Sequence, residues 1–332
     1  MQYFFPELRG FVLGQKSPFF LGGTQVGFDS FKIVERGRST VTIPAMEAPQ
    51  DILETFIRPR SSIFDLDFNK VNVMGILNVT PDSFYDGKEN FKETDFLKKG
   101  FDLIKGGLDI LDVGGESTRP GAKELPIQME KDRVSHVIRA IKKIKPKTII
   151  SIDTRKSEVA KAGIKAGASF INDVSGTTFD KEILSVASKF GAGICIMHSK
   201  GLPENMQSQP HYENILLDVY DFLKEKLNQA KKAGISEEKI IVDPGIGFGK
   251  SLYHNKTLIK NLSLFHGLGC PVMVGLSRKS FIGEIVGELD PSKRLGGSLA
   301  ALLTAVSRGA HLVRVHDVIE TKQAIEVWNS LV

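Results

Sequence analysis

From residue 71 onward, short runs rich in Val, Ile and Leu alternate with longer stretches whose apolar residues recur every three or four positions. Parallel strands need a crossover, usually a helix, to bring the chain back to the same edge, so this alternation marks a parallel sheet built from βα units. Strands are expected at 71–77, 109–113, 148–152, 169–172, 193–197, 240–242, 272–275 and 312–315. Between them, Leu97, Phe101 and Ile104, then Val134, Val137, Ile138 and Ile141, then Tyr220, Leu223 and Leu227 carry helical spacing. Eight such units over about 260 residues predict an α/β fold closed into a (β/α)8 TIM barrel rather than an open doubly wound sheet.

Residues 1–70 break the rhythm. They hold short β-like runs (FKIVERG, TVTIPA) among Pro44, Pro49 and Pro59, and are expected to form a hairpin-containing N-terminal extension packed on the barrel of residues 71–332. No chemical motif falls in the extension, which points to a structural or oligomer-contact role.

A barrel should gather its chemistry where the strands end, at the face made by the βα loops. Polar residues crowd there in this chain. Strand one runs into Asn78 to Asp86, strand two into GGESTRPGA (Gly114 to Ala122), strand three into Asp153, and strand four into Asn172 and Asp173. Strand five ends in Met197 and His198, strand six in DPGIGFGK (Asp243 to Lys250), strand seven in SRKS (Ser277 to Ser280) and strand eight in RVHD (Arg314 to Asp317). One polar strand end would be ordinary helix capping. Eight of them describe the floor and rim of one mouth.

Several classes of function are disfavoured. No stretch approaches the roughly 20 apolar residues of a membrane span, and the N-terminus lacks the basic and apolar segments of a secretion signal, so a cytoplasmic protein is expected. The formal charge is +5, with lysines single or paired and no basic stripe interleaved with aromatics, which disfavours nucleic acid while tolerating anionic small substrates. Cys195 and Cys270 each sit in an apolar run and read as buried thiols. In DPGIGFGKS the glycines imitate a dinucleotide fingerprint without its spacing, and GIGFGKS is one residue short of a P-loop, so nucleotide binding is disfavoured as well.

LNVTPDSF, GGESTRPGA, SIDTRKS, INDVSG, DPGIGFGK, SRKSFIG and RVHDV occur in order at the strand ends, and with them the chain from about Val71 onward resembles the dihydropteroate synthase family of folate biosynthesis. The resemblance implies condensation of 6-hydroxymethyl-7,8-dihydropterin pyrophosphate with p-aminobenzoate, giving 7,8-dihydropteroate and pyrophosphate. A pterin presents an amino group and a ring N–H side by side, an edge a carboxylate accepts in two parallel hydrogen bonds. Asp243 resembles the family carboxylate for that edge, with Asp153, Asn172 and Met197 around the ring and Lys279 on its oxo side.

The resemblance further implies that Asn78, Thr118, Arg314, Val315 and His316 hold pyrophosphate, and that Asn78 is a ligand to Mg²⁺, the expected cofactor. Thr118, Arg119, Pro120, Phe248, Lys279 and Ser280 would surround p-aminobenzoate. Asp82, Lys279 and Arg314 are the expected catalytic residues, with Asp82 steadying a cationic pterin methylene and Phe84 helping to shut out water from a segment, Thr80 to Lys88, acting as a lid. The aryl amine is neutral at pH 7, so dissociative, SN1-like substitution needs no strong general base. The family also implies a homodimer. Two alternatives share the pterin floor: a non-catalytic pterin-binding paralogue and a pterin-dependent methyltransferase domain. The methyltransferase would have no need for STRPGA, SRKS and RVH together.

Overall fold

The computed structural model describes residues 1–8, 17–80, 93–116, 124–201 and 210–331. The extension forms an antiparallel sheet of β1 (Gln2–Leu8), β2 (Phe19–Phe20), β3 (Gly27–Glu35) and β4 (Val41–Pro44), with β3 paired to all three others. The β3–β4 pair is the hairpin expected from FKIVERG and TVTIPA. Helix α1 (Gln50–Ile57) closes one face, where Phe4, Phe28, Phe31 and Phe56 form a small core and the Phe31 and Phe56 rings lie 4.9 Å apart.

Successive residues of a strand face opposite ways. Phe4 therefore enters the extension's own core while Tyr3 packs with Leu217 and Leu264 of the barrel shell. The Tyr3 hydroxyl donates to Asp221 at 2.7 and 2.9 Å, and Arg36 bonds Asp218 at 2.8 Å and Asp221 at 3.0 Å.

The barrel strands are β5 (Asn72–Asn78), β6 (Ile110–Gly114), β7 (Ile149–Asp153), β8 (Phe170–Asp173), β9 (Gly193–Met197), β10 (Ile240–Asp243), β11 (Met273–Gly275) and β12 (Leu312–Val315). All neighbours are parallel, in the order β10-β9-β8-β7-β6-β5-β12-β11. A parallel bridge between Val242 and Val272, with the Val242 N–H donating to the Pro271 carbonyl at 3.0 Å, joins the two ends of this row. Around it run α2 (Glu93–Lys105), α3 (Ile127–Ile144), α4 (Ser157–Ala166), α5 (Glu182–Phe190), α6 (Ile215–Lys232), α7 (Leu252–Lys260), α8 (Ser280–Val286), α9 (Leu295–Val306) and α10 (Val318–Leu331). Among the described residues no helix is long and apolar enough to cross a membrane.

Period two sorts the barrel interior into layers. Toward the strand N-termini, Met74, Ile110, Phe170, Cys195, Ile241, Met273 and Leu312 make an apolar layer, plugged from below by Ile63, Leu66 and Phe68. Both cysteines are free and buried, as their apolar runs suggest. Two residues further along β6, β8, β10 and β12 come Asp112, Asn172, Asp243 and Arg314, the first three nearly inaccessible. The barrel interior is apolar at one end and charged at the other.

Candidate active site

Asp112 of β6 lies at the centre of the charged layer. Its Oδ2 accepts from Arg314 Nε at 2.6 Å and from Asn172 Nδ2 at 2.9 Å, while Arg314 Nη2 donates to Asp153 Oδ2 at 2.6 Å. One guanidinium thus bridges two carboxylates from β6 and β7. The opposite oxygens, Asp112 Oδ1, Asp153 Oδ1 and Asn172 Oδ1, are buried acceptors without a hydrogen-bond partner. Leaving such acceptors unpaired costs about 1–3 kcal/mol each, so three in one cluster call for a ligand that brings donors.

Asp243 closes the floor on the other side, paired in register with Met197. Its Oδ1 accepts from the Gly245 N–H at 2.7 Å. Burial lifts the Asp243 carboxyl above the usual range, with Lys279 opposing. Burial also pulls the Lys279 ammonium down to about 8, against the pull of Asp243 and with Arg314 adding to the shift. Asp153 is raised to about 7 by burial, against Arg314 and with Asp112 adding like charge.

The loop after β10 needs its glycines. Gly245 (φ +69°) sits so close to the His198 carbonyl that a Cβ would lie 1.8 Å from that oxygen, and Gly249 (φ +61°) would meet the Lys200 carbonyl at 2.3 Å. Left-handed backbone and close approach both exclude a side chain there. Phe248 is carried out at the mouth, where the Lys279 Nζ stands 4.7 Å from its ring centroid and donates to the Ile246 carbonyl.

On the far rim, Ser277 Oγ accepts from the His316 N–H at 3.3 Å and lies 3.1 Å from His316 Nδ1. These two contacts fix His316 just beyond the end of β12, two residues on from Arg314 and on the same side of the strand. Arg278, in left-handed backbone (φ 61°), is held by Asp317 through Nε at 3.0 Å and through Nη2, so the turn that presents Lys279 and Ser280 is fixed. Ser280 is the first residue of α8 and Asn78 the last of β5. Val315 buries its side chain in the core outside the sheet, which limits any ligand contact to its backbone.

The structure brings together Asp153, Asn172, Asp243, Lys279 and Arg314, with Met197 and Phe248 from the adjoining strand end and loop. Asp82, Phe84, Thr118, Arg119 and Pro120 lie outside the described residues, as do Pro81 to Lys88 of the expected lid. Asp112 was not among the expected site residues. Strand-end reasoning passes over it because it lies within the strand, yet an acid inside the apolar run ILDVG is itself the signal, since an unpaired carboxylate there would be too costly to bury.

A sequence profile of the family described as pterin binding enzyme matches residues 74–316. A dihydropteroate synthase of Escherichia coli (strain K12) is 44% identical over 262 residues, covering 79% of this chain and 92% of the relative. Among solved structures, dihydropteroate synthase of Xanthomonas albilineans with 4-aminobenzoic acid superposes with a TM-score of 0.75 at 41% identity, covering 80% of this chain and 94% of that one. The Yersinia pestis dihydropteroate synthase in complex with a sulfonamide drug gives 0.76 at 39% identity, covering 80% and 96%.

Proposed function

This chain belongs to the dihydropteroate synthase family of pterin-binding enzymes, and on that premise we propose how its mouth carries out the family's reaction. The protein is a transferase of folate biosynthesis: it joins 6-hydroxymethyl-7,8-dihydropterin pyrophosphate to p-aminobenzoate, giving 7,8-dihydropteroate and pyrophosphate. The observation that carries the assignment of the site is the group of three buried, unpartnered acceptors on Asp112, Asp153 and Asn172 beneath the mouth. A pterin's amino and ring N–H groups are the donors that such a floor lacks.

In this account Asp243, Asp153, Asn172 and Asp112 grip the polar perimeter of the ring over Met197, and Lys279 faces its oxo side. Arg314, the backbone at Val315, His316 and Asn78 receive the pyrophosphate, with Thr118 beside them. Charge grows on the departing oxygens as the methylene C–O bond breaks, and donors already aimed at them lower the barrier. Asp82 steadies the cationic methylene. The neutral amine of p-aminobenzoate, packed on Phe248 among Thr118, Arg119 and Pro120 with its carboxylate toward Ser280 and Lys279, captures that cation and then loses a proton to solvent. A sulfonamide would compete for this second place.

Mg²⁺ fits the donors at hand. Among the described residues no group of three or more His, Cys, Asp or Glu could hold a metal, and Asn78 offers one hard carboxamide oxygen at the end of β5. That donor set suits an ion that keeps its waters and is shared with phosphate oxygens. When bound, it neutralises charge on the leaving group. We further propose that the protein works as a cytoplasmic homodimer. Ile285 and Val286 at the end of α8 and Leu289 just beyond it are exposed apolar side chains open to a second copy.

Mass-spectrometric detection of dihydropteroate, with pyrophosphate released in equal amount, tests the function. Release should need both organic substrates and stop on chelation of Mg²⁺. Pyrophosphate released at the same rate without the amine would contradict it.

The Asp153 carboxyl supplies a pH test. A group held at about 7 takes up a proton as pH falls through that value and loses an acceptor for the pterin N–H groups. Pterin affinity should therefore rise from pH 5.5 to 8 with release of a proton on binding, and Asp153→Asn should flatten the profile. Titration calorimetry in buffers of different ionisation enthalpy reads both quantities.

A further inference from the structure

Lys250 ends the glycine-rich loop where a P-loop lysine would stand, but its side chain does not point toward a phosphate. The residue is 3% exposed, and its Nζ lies 2.8 Å from His198 Nδ1, 2.9 Å from the Phe248 carbonyl and 3.2 Å from the His198 carbonyl. Two backbone carbonyls and a ring nitrogen thus surround the Lys250 Nζ. His198 directly follows Met197 at the end of β9, and its ring packs edge-on against Phe222 at 4.8 Å. Lys250 thus ties the strand end beside the pterin floor to the residue that carries the Phe248 ring.

The rest of the loop is pinned in the same manner. Asn255 Oδ1 accepts from the Gly247 N–H at 2.8 Å, and the Tyr212 hydroxyl donates to the Gly249 carbonyl at 2.8 Å. The Gly245 carbonyl accepts from the Phe248 N–H at 3.2 Å. Among the described residues no carboxylate touches the Lys250 Nζ, and burying a lysine on neutral acceptors is costly. A surface turn could be built without it, so the cost points to a demand on the position of Phe248.

We propose that Lys250, through His198 and the Phe248 carbonyl, is a positioning residue that sets the Phe248 ring beside Lys279 and thereby determines affinity for the aryl amine rather than for the pterin. The inference rests on the assignment of Phe248 to the p-aminobenzoate site. In that site a flat ring packs against a flat substrate, where a small displacement of the loop removes contact area without disturbing Asp112, Asp153 or Asn172.

The test compares wild type, Phe248→Leu, Lys250→Met, the double variant and Tyr212→Phe as full chains. Lys250→Met should raise KM for p-aminobenzoate about tenfold or more, within the range that misplacing a site group costs, while the pterin Kd stays within about twofold, the scatter of independent sites. The double variant should be no worse than the poorer single one. Tyr212→Phe leaves the core intact and should raise the same KM about threefold, the scale of one neutral hydrogen bond. Equal loss of pterin and amine affinity in Lys250→Met, or a wild-type KM there while Phe248→Leu is impaired, overturns the proposal. Should Lys250→Met not fold, a wild-type KM in Tyr212→Phe overturns it alone. A wild-type KM in Phe248→Leu would remove Phe248 from the amine site and the proposal with it.

Discussion

Arg314→Ala should abolish measurable turnover and weaken binding of both the pterin pyrophosphate and a pterin lacking the diphosphate. The family resemblance makes Arg314 a pyrophosphate ligand, whose loss should weaken binding of the pyrophosphate ester far more than that of the bare pterin. The structure changes that expectation, because the guanidinium also holds Asp112 and Asp153 at 2.6 Å each. Removing it leaves two buried carboxylates facing one another. Breaking a buried ion pair in this way costs about 3–5 kcal/mol, a figure that protonation of one acid, with Asp153 already raised to about 7, would reduce. The destabilisation should therefore be larger at pH 8 than at pH 6, since the missing cation matters most when both acids are ionised. Thermal unfolding at the two pH values, with calorimetry of both ligands, checks each part. Unchanged affinity for the bare pterin would show that Asp112 and Asp153 keep their places without Arg314.

Asp243→Asn should weaken pterin binding by about 1–3 kcal/mol, the cost of an unpaired buried polar group, or roughly five- to a hundredfold in Kd at 1.4 kcal/mol per decade. Asp243 Oδ1 is committed to the Gly245 N–H at 2.7 Å. An asparagine that keeps this bond turns its amide NH2 toward the donor edge of the ligand, donor against donor. A second effect follows from charge. Asp243 is the group that counters the burial of Lys279, so its loss should lower the Lys279 ammonium below about 8. If protonated Lys279 is needed to face the pterin oxo group, the alkaline limb of the rate profile moves to lower pH in the variant. Calorimetry and a pH series of initial rates read the two effects separately. An unchanged Kd would take Asp243 out of the pterin site.

The strands were legible because a barrel strand is apolar on both faces, so each appears as an unbroken run bounded by turns. Four of the eight, β5 to β8, lie one residue later than expected and β10 ends one residue later, since the pairing extends onto the next residue, a polar one at Asn78, Asp153 and Asp243. The floor residues were legible for the same reason, a polar group ending an apolar run. Asp112 was not, because it sits one step inside its run. The partners of Arg314 are 202 and 161 residues away in sequence, a closeness that only the register of β12 against β5, β6 and β7 creates. The role of Lys250 was hidden by the glycines around it, which suggest phosphate until His198 is seen 52 residues away in the chain and 2.8 Å away in space. The extension carries no motif, and its seat on α6 rests on Tyr3 and Arg36 meeting Asp218 and Asp221, charges that read as ordinary surface.

The most direct measurement is diffraction from crystals grown with a dihydropterin. The account predicts the ring lying over Met197 with its amino and ring N–H groups within hydrogen-bond distance of the acceptors on Asp112, Asp153, Asn172 and Asp243, and Lys279 on its oxo side. A ring bound elsewhere, with those four side chains keeping the partners they have now, would contradict it.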